Sequence, residues 1–159
     1  MKIKVGISAC LLGEKVRYDG GHKLDHYLRD TLGQFVEWIP VCPEVECGLP
    51  VPREAMRLIK TSDKVRLITV NSKIDHTERM EIWIKEKLKE LQKLDLSGFI
   101  FKSRSPSSGL YSAKVYTKNG KLIGKSAGFF AKAFIEHFKY IPVEEDERLQ
   151  NPWIRENFY

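Results

Sequence analysis

The sequence predicts an α/β fold: a Rossmann-like, mostly parallel sheet with helices on both faces and a small β-hairpin insertion. Short apolar runs alternate with helical segments along the chain, which is the pattern of parallel βαβ units. Loops rich in Cys, Ser, Glu, Gly and Pro follow three of the apolar runs, as ligand-binding loops do beyond the carboxyl ends of such strands. One Asn-Gly pair between two short β-rich runs indicates the hairpin.

The first half of the chain contains three strand candidates and one helix candidate. Residues 5–8 are apolar and end in a small-residue turn, as expected of a buried first strand. Apolar residues recur at helical spacing over residues 22–34, and a glycine marks the end of this helix. Residues 36–41 and 65–70 are β-rich runs and are predicted strands. If the strands that carry the loops are adjacent, those loops meet in one pocket.

The second half contains two helices, a buried strand and the hairpin. Asp75 and Glu78 form a capping-box-like pattern that begins a long amphipathic helix. Residues 98–101 are wholly apolar apart from a glycine and predict a buried strand. The turn at Asn119-Gly120 predicts the hairpin, and Ser126 is the predicted cap of a last major helix.

Length and charge limit the class of protein. The chain has 159 residues, enough for one core. We expect one α/β domain over 1–143 and a C-terminal extension over 144–159. No apolar run approaches the roughly 18 residues of a membrane span. The first apolar run is too short for a signal peptide, so the sequence predicts a cytoplasmic protein. The net charge of +6 is compatible with an anionic ligand. The sequence has no basic run or arginine-rich arm of the kind that would indicate nucleic-acid binding.

Three cysteines lie at or beside predicted strand ends. Cys10 and Cys42 each follow a strand, and Cys47 lies in the same loop as Cys42. An odd count in a cytosolic chain argues against a disulfide framework. Three thiolates in one crevice suit a metal or an iron–sulfur cluster, on which three ligands leave one iron open. The alternative is that the cysteines are small apolar core residues, but a Pro-rich acidic loop is a poor core.

Several polar residues accompany the thiols. Glu44 and Glu46 are either a base and a tuning group beside a metal or solvated loop charges, and we favour the second reading for Glu46. The serines of residues 102–109 ordinarily satisfy turn backbone. Asp19 and Arg17 either hold a polar ligand or pair with each other, and from the residues alone the internal ion pair is the default interpretation. The residues themselves leave these alternatives open.

Five short motifs in combination resemble the thiouracil desulfurase family. The resemblance runs from about Lys4 to His137. The motifs are Ser8-Ala9-Cys10-Leu11-Leu12-Gly13, Arg17-Tyr18-Asp19-Gly20, Cys42-Pro43-Glu44, Gly48-Leu49-Pro50-Val51-Pro52-Arg53 and Lys102-Ser103-Arg104-Ser105-Pro106-Ser107.

The resemblance implies an oxygen-sensitive [4Fe-4S] cluster held by three cysteines. It also implies that the open iron takes the sulfur of a thiolated pyrimidine, and that water replaces this sulfur without net redox change. Thiocarbonyl sulfur prefers iron to water, and iron polarises the carbon–sulfur bond. By motif position Glu44 is the acid–base residue and Ser105 the assisting serine, and we expect Asp19, Ser107 and Ser108 to bind substrate. The implied substrates are small thiolated pyrimidines, and the breakdown of thiolated RNA is one candidate origin of them.

The chain departs from the family pattern at one cluster ligand. The family's serine loop ends Ser-Pro-Ser-Cys-Gly, and its cysteine is a ligand, but this chain has Ser108 at that position. Cys47 stands where the family usually has glycine, so the implied ligand set becomes Cys10, Cys42 and Cys47. A subgroup with this Cys-Pro-Glu-x-x-Cys arrangement often carries a second C-terminal domain.

Three functions compete at this point. The first is a cluster-dependent desulfurase that releases sulfide from a thiouracil-like nucleobase. The second is a non-catalytic iron–sulfur or metal-binding module with a sensing or partner-binding role. The third is a metal-free domain that binds a nucleotide or RNA. The cysteines argue against the third, and Glu44 with Ser105 favours the first over the second. The residues give no indication of the oligomeric state.

Overall fold

The computed structural model describes residues 2–62 and 64–158, which form eight strands and four α-helices. The strands are β1 (Ile3–Ser8), β2 (Val36–Val41), β3 (Met56–Lys60), β4 (Val65–Thr69), β5 (Gly98–Phe101), β6 (Ala113–Tyr116), β7 (Leu122–Ser126) and β8 (Val143–Glu145). The helices are α1 (Pro43–Glu46), α2 (Thr77–Gln92), α3 (Phe129–His137) and α4 (Pro152–Phe158).

The main sheet is parallel, in the order β2-β1-β5-β8. Its central strand β1 pairs with β2 from Ile3–Val36 to Ser8–Val41 and with β5 on its other side. This confirms the predicted Rossmann-like α/β fold. The loops that follow β2, β1 and β5 come from neighbouring strands, so they emerge side by side at one edge of the sheet.

A second sheet, in the order β4-β3-β6-β7, extends beside the first. The predicted hairpin is present, because β6 and β7 pair antiparallel around a turn in which Gly120 has a φ of 85°. It does not stand alone: β6 pairs in parallel with β3, which in turn pairs antiparallel with β4. Residues 65–70 were therefore rightly predicted as a strand, but that strand lies in this second sheet.

Three local expectations change in the structure. Residues 22–34 form only a π-helical turn over Tyr27–Thr31 and a 3-10 turn over Leu32–Gln34. The Pro-rich loop contains the short helix α1, because a proline at the first helical position loses no hydrogen bond there. Helix α3 begins after Gly128 rather than at Ser126, which belongs to β7. A Cβ at position 128 would lie 2.6 Å from the Ser107 carbonyl carbon, so glycine lets α3 approach the serine loop.

The core lies on both faces of the parallel sheet. Successive residues of β5 point to opposite faces, so Phe99 and Phe101 pack on the side of α2 and α3 while Ile100 packs on the other side. The Phe99 and Phe101 rings stack with centroids 4.4 Å apart, and Phe130 and Phe134 of α3 pack on them edge-on or tilted. This rigid aromatic layer fixes β5 and the loop that follows it.

The chain beyond residue 143 continues the sheet. Strand β8 crosses the predicted boundary and pairs with β5, and Leu149 is buried in the second core layer. The division into a domain over 1–143 and an extension over 144–159 stays a prediction. No helix within the described residues is long and apolar enough to span a membrane.

Candidate active site

A cavity of about 850 Å³ opens at the carboxyl ends of β1, β2 and β5. Its walls come from the three loops that the sequence predicts to converge. The lining residues contribute thiols, carboxylates, hydroxyls and cations. The lining includes Cys10, Arg17, Cys42, Glu44, Arg53, Lys102, Ser105, Ser108 and Asp146.

Cys10 occupies the tight turn that ends β1. The turn over Ala9–Leu12 is buried, and the Cys10 carbonyl accepts hydrogen bonds from the amides of Gly13 and Lys23 at 3.2 and 3.0 Å. Burial raises the pKa of the Cys10 thiol to about 11, against the opposing charges of Lys102 and Arg17. The backbone therefore fixes the position of this thiol at the cavity wall.

Cys42 follows β2 directly and is the residue before α1. Burial is the main reason that the pKa of its thiol is raised to about 12, and the nearby Glu44 charge adds to the shift. The Cys42 amide donates to Glu46 Oε2 at 2.8 Å, and Lys87 of α2 holds the other oxygen of that carboxylate at 2.8 Å. Glu46 is thus a structural group that fixes the Cys42 loop, rather than the solvated charge favoured from the sequence.

Both cavity thiols are neutral at pH 7 without a metal, because their pKa values lie far above that pH. A neutral thiol is a poor nucleophile, so the pair does not resemble the activated cysteine of a thiol hydrolase. Soft metal ions bind thiolates and displace these protons on binding. Cys10 and Cys42 are therefore not activated nucleophiles, and as soft donors they are candidate metal ligands.

Cys47 lies at the end of α1 and does not line the cavity. Its thiol donates to the Glu44 carbonyl at 3.2 Å, and its side chain packs against the larger core layer. The structure thus brings together two of the three predicted ligands, Cys10 and Cys42, with the Ser108 hydroxyl on the same wall. Within the described ranges, no group of three or more His, Cys, Asp or Glu side chains is arranged to hold a metal ion.

Glu44 is the carboxylate nearest the thiols. It is only 8% exposed, and its Oε1 accepts a hydrogen bond of 2.5 Å from the Ser107 hydroxyl. Its other oxygen, Oε2, lies 3.9 Å from the Cys42 sulfur. A buried carboxylate beside candidate metal ligands is in a suitable place to take a proton from a water molecule.

The serine loop separates into two roles. Ser105 and Ser108 line the cavity, whereas Ser107 is fully buried behind Glu44. The Ser105 hydroxyl accepts the amides of Ser107 and Ser108 at 3.3 and 3.1 Å, which closes a tight turn. We expected Ser107 to bind substrate, but its side chain does not reach the cavity in this conformation.

Asp19 stands apart from this group. It is exposed, its Oδ1 accepts the Gly21 amide at 2.8 Å, and it is not among the cavity residues. Its neighbour Arg17 does line the cavity and lies over the Tyr18 ring, 5.6 Å from the centroid. Asp19 forms no ion pair with Arg17 in the described part of the chain.

Sequence reasoning missed Lys102, which lines the cavity directly after β5. Its Nζ donates to the carbonyl and hydroxyl of Ser103, at 2.9 and 3.2 Å. No carboxylate of the described residues pairs with it within 4.0 Å. Lys102 follows a predicted strand, as Cys42 does, and this position in the sequence could have indicated that it lies at the site.

A second cavity of about 540 Å³ adjoins the first and shares Tyr18, Arg53 and Arg104 with it. It adds two further cations, Arg57 and Lys114. The Arg57 guanidinium lies over the Tyr116 ring, 4.3 Å from its centroid. The Glu54 carboxylate also lines both cavities, but it is held by hydrogen bonds from Ser72. The cations outnumber it, so this wall can attract an anionic group.

Comparison with known proteins identifies this combination of fold and site. A family model described as 2-thiouracil desulfurase matches residues 5–146. The uncharacterized protein YbbK of Bacillus subtilis (strain 168) is 28% identical over 149 residues, covering 89% of this chain and 95% of that protein. The solved structure of the [4Fe-4S]-dependent thiouracil desulfidase TudS has a TM-score of 0.75 and 28% identity, covering 99% of this chain and 100% of that one. Because the family model covers residues 5–146, which include Cys10, Cys42, Glu44 and the serine loop, we conclude that the chain belongs to the 2-thiouracil desulfurase family.

Proposed function

We propose that this protein catalyses the iron–sulfur-cluster-dependent, non-redox desulfuration of a thiouracil-like nucleobase and releases sulfide. One observation carries the proposal: the Cys10 and Cys42 thiols share a cavity with a buried carboxylate, Glu44, whose Oε2 is 3.9 Å from the Cys42 sulfur. The non-catalytic alternative, a cluster-binding sensor, has no use for a carboxylate at that position.

The donor set at the cavity fits a thiolate-bound cluster. Cys10 and Cys42 would hold it, since both are soft donors on the wall, and cations at Lys102 and Arg17 offset the charge of the Cys10 thiolate. When bound, a [4Fe-4S] cluster with one open iron supplies a Lewis acid for thiocarbonyl sulfur. Cys47 stays the predicted third ligand, although its thiol contacts the Glu44 carbonyl here.

The chain's own groups supply the rest of the chemistry. Glu44 Oε2 would accept a proton from the water that replaces sulfur at the ring carbon, because Oε1 is already engaged with Ser107. Ser105 and Ser108 would orient the ring through their hydroxyls at the cavity wall. The exposed Asp19 stays a prediction as a substrate-binding residue.

We further propose that the substrates include nucleotides from the breakdown of thiolated RNA. The second cavity supports this, because Arg53, Arg57, Arg104 and Lys114 surround a space next to the thiols. A ribose phosphate carried by the pyrimidine would reach those cations, whereas free thiouracil in the first cavity would leave Arg57 and Lys114 unused. A cytosolic location is also proposed, since the three cysteines are unpaired.

Arg57→Met tests the nucleotide proposal. We expect it to lower kcat/KM for thiouridine monophosphate by about 10-fold or more, the scale of one charge-assisted contact. The value for free thiouracil should stay unchanged, because Arg57 lines only the second and third cavities. Steady-state sulfide release with both substrates measures this. An equal loss with both would count against a phosphate contact.

The function itself is tested with protein prepared without oxygen. We expect a brown protein that contains iron and sulfide and converts thiouracil to uracil with one sulfide released per turnover. A fully loaded cluster without sulfide release would favour the non-catalytic module. A colourless protein under the same conditions would exclude both cluster hypotheses.

A further inference from the structure

We propose that Ser107 is the positioning residue of this site, which aims the Glu44 carboxylate into the cavity and ties it to Ser105. The inference rests on the proposed function, because it concerns the orientation of the group that we assign as base. From the sequence, Ser105 has a role of its own, whereas Ser107 is expected to share the substrate-binding role of Ser108. Its burial and its partner in the folded chain distinguish Ser107 from both.

The direction of the hydrogen bonds follows from the groups involved. The Ser107 oxygen lies 2.5 Å from Glu44 Oε1, and both groups are buried. The Ser107 hydroxyl has a single proton, and it donates this proton to Oε1. Oε1 is thereby engaged, and Oε2 is left on the side of the Cys42 sulfur. The bond thus selects which carboxylate oxygen faces the chemistry.

The same hydroxyl links Glu44 to the second proposed catalytic residue. Because Ser107 has given its proton to Glu44, its oxygen can only accept from the hydroxyls of Ser105 and Ser108, which lie 3.2 and 3.4 Å away. The three groups then form one chain from Ser105 through Ser107 to Glu44. Neither of the outer groups contacts the other directly among the described hydrogen bonds, so Ser107 sets their relative position.

The backbone of Ser107 is held firmly enough for this role. Its carbonyl accepts the amides of Phe130 and Ala131, at 2.8 and 3.1 Å, in the first turn of α3. Gly128 packs against it so closely that a Cβ there would not fit. The aromatic core under α3 therefore fixes the serine, and the serine fixes the carboxylate. A fixed hydroxyl costs no reorganisation when the base acts.

The matched control is Ser112→Ala. Ser112 makes the same kind of bond, donating to Glu145 Oε2 at 2.6 Å, and lies five positions further along the same region. Neither Ser112 nor Glu145 lines the cavity. Its oxygen also accepts the Arg104 amide at 2.7 Å, so Ser112→Ala removes a serine–glutamate bond together with one contact to the backbone of the serine loop. It therefore shows what the loss of a partly buried serine hydroxyl in this region does without a change at Glu44.

Ser107→Ala should keep the iron content and visible absorbance of the wild type but lower kcat by about 10–100-fold, part of the 10²–10⁴ that a positioned base contributes. KM should stay near its wild-type value, because Ser107 does not reach the cavity. Ser107→Thr, which keeps the hydroxyl, should recover most of kcat. Ser112→Ala should retain the wild-type kcat. A rise in KM with kcat unchanged would overturn the proposal in favour of direct substrate binding.

A double-mutant cycle with Glu44→Gln separates the inference from the proposed function. If Ser107 acts through Glu44, then Ser107→Ala should cause little further loss of kcat in the Glu44→Gln background. Losses that multiply would overturn the positioning role while leaving the desulfurase intact. Loss of iron in both Ser107→Ala and Ser107→Thr would also overturn it, since the residue would then be structural. Failure of the wild-type, cluster-loaded protein to release sulfide would instead refute the proposed function.

Discussion

Cys42→Ala is expected to purify without iron and to release no sulfide from thiouracil, the largest effect of any single change that we predict. Cys42 is the first residue after β2, its sulfur lies 3.9 Å from Glu44 Oε2, and alanine offers no donor atom in its place. Iron and sulfide content, with absorbance near about 400 nm from the cluster, measure the loss. Circular dichroism provides the control, because a partly exposed cysteine contributes little to the core. A loaded, active variant would contradict the ligand assignment.

The same measurements decide the third ligand. If Cys47 is that ligand, Cys47→Ser should lose the cluster, because a hydroxyl is a poor substitute for a thiolate on iron. Adding Ser108→Cys should then restore it, since position 108 lines the cavity beside Cys10 and Cys42. Full iron content in Cys47→Ser alone would show that Cys47 keeps its place against the Glu44 carbonyl.

Glu44→Gln is expected to retain the cluster but to lose about 10²–10⁴-fold in kcat, the usual contribution of a general base. The amide keeps the shape of the side chain and can still accept the Ser107 hydroxyl through its oxygen. It cannot take a proton from water. Sulfide release per cluster, measured on protein of equal iron content, isolates the effect on chemistry.

Glu46→Gln is the matched control for this change, two positions along the same short helix. Its oxygen can still accept the Cys42 amide, and its carboxylate faces Lys87 rather than the cavity. We expect most of the sulfide release to persist in this variant. Activity lost equally in both variants would indicate that the loop, and not the base, is what Glu44→Gln disturbs.

The parallel sheet and the meeting of its loops could be predicted from the sequence because the signals are local. Wholly apolar runs such as residues 98–101 indicate strands that are buried on both faces. Parallel strands place their carboxyl ends at one edge, so Cys10, Cys42 and the serine loop had to converge if their strands were neighbours. The strand order β2-β1-β5 fulfils that condition. The composition of the cavity wall follows from these facts.

Only the tertiary structure decided where the side chains of those loops point. Helices and strands have a regular repeat of side-chain direction that can be predicted from sequence, but loops have none. Ser105, Ser107 and Ser108 are alike in sequence, yet packing of α3 buries Ser107 against Glu44 and leaves the other two at the cavity. Cys42 and Cys47 lie at opposite ends of the short helix α1. The Cys47 side chain packs against the core, whereas Cys42 lines the cavity. The pairing of β3 with β6 joins residues far apart in the chain, and such contacts are set by the whole fold rather than by local propensity.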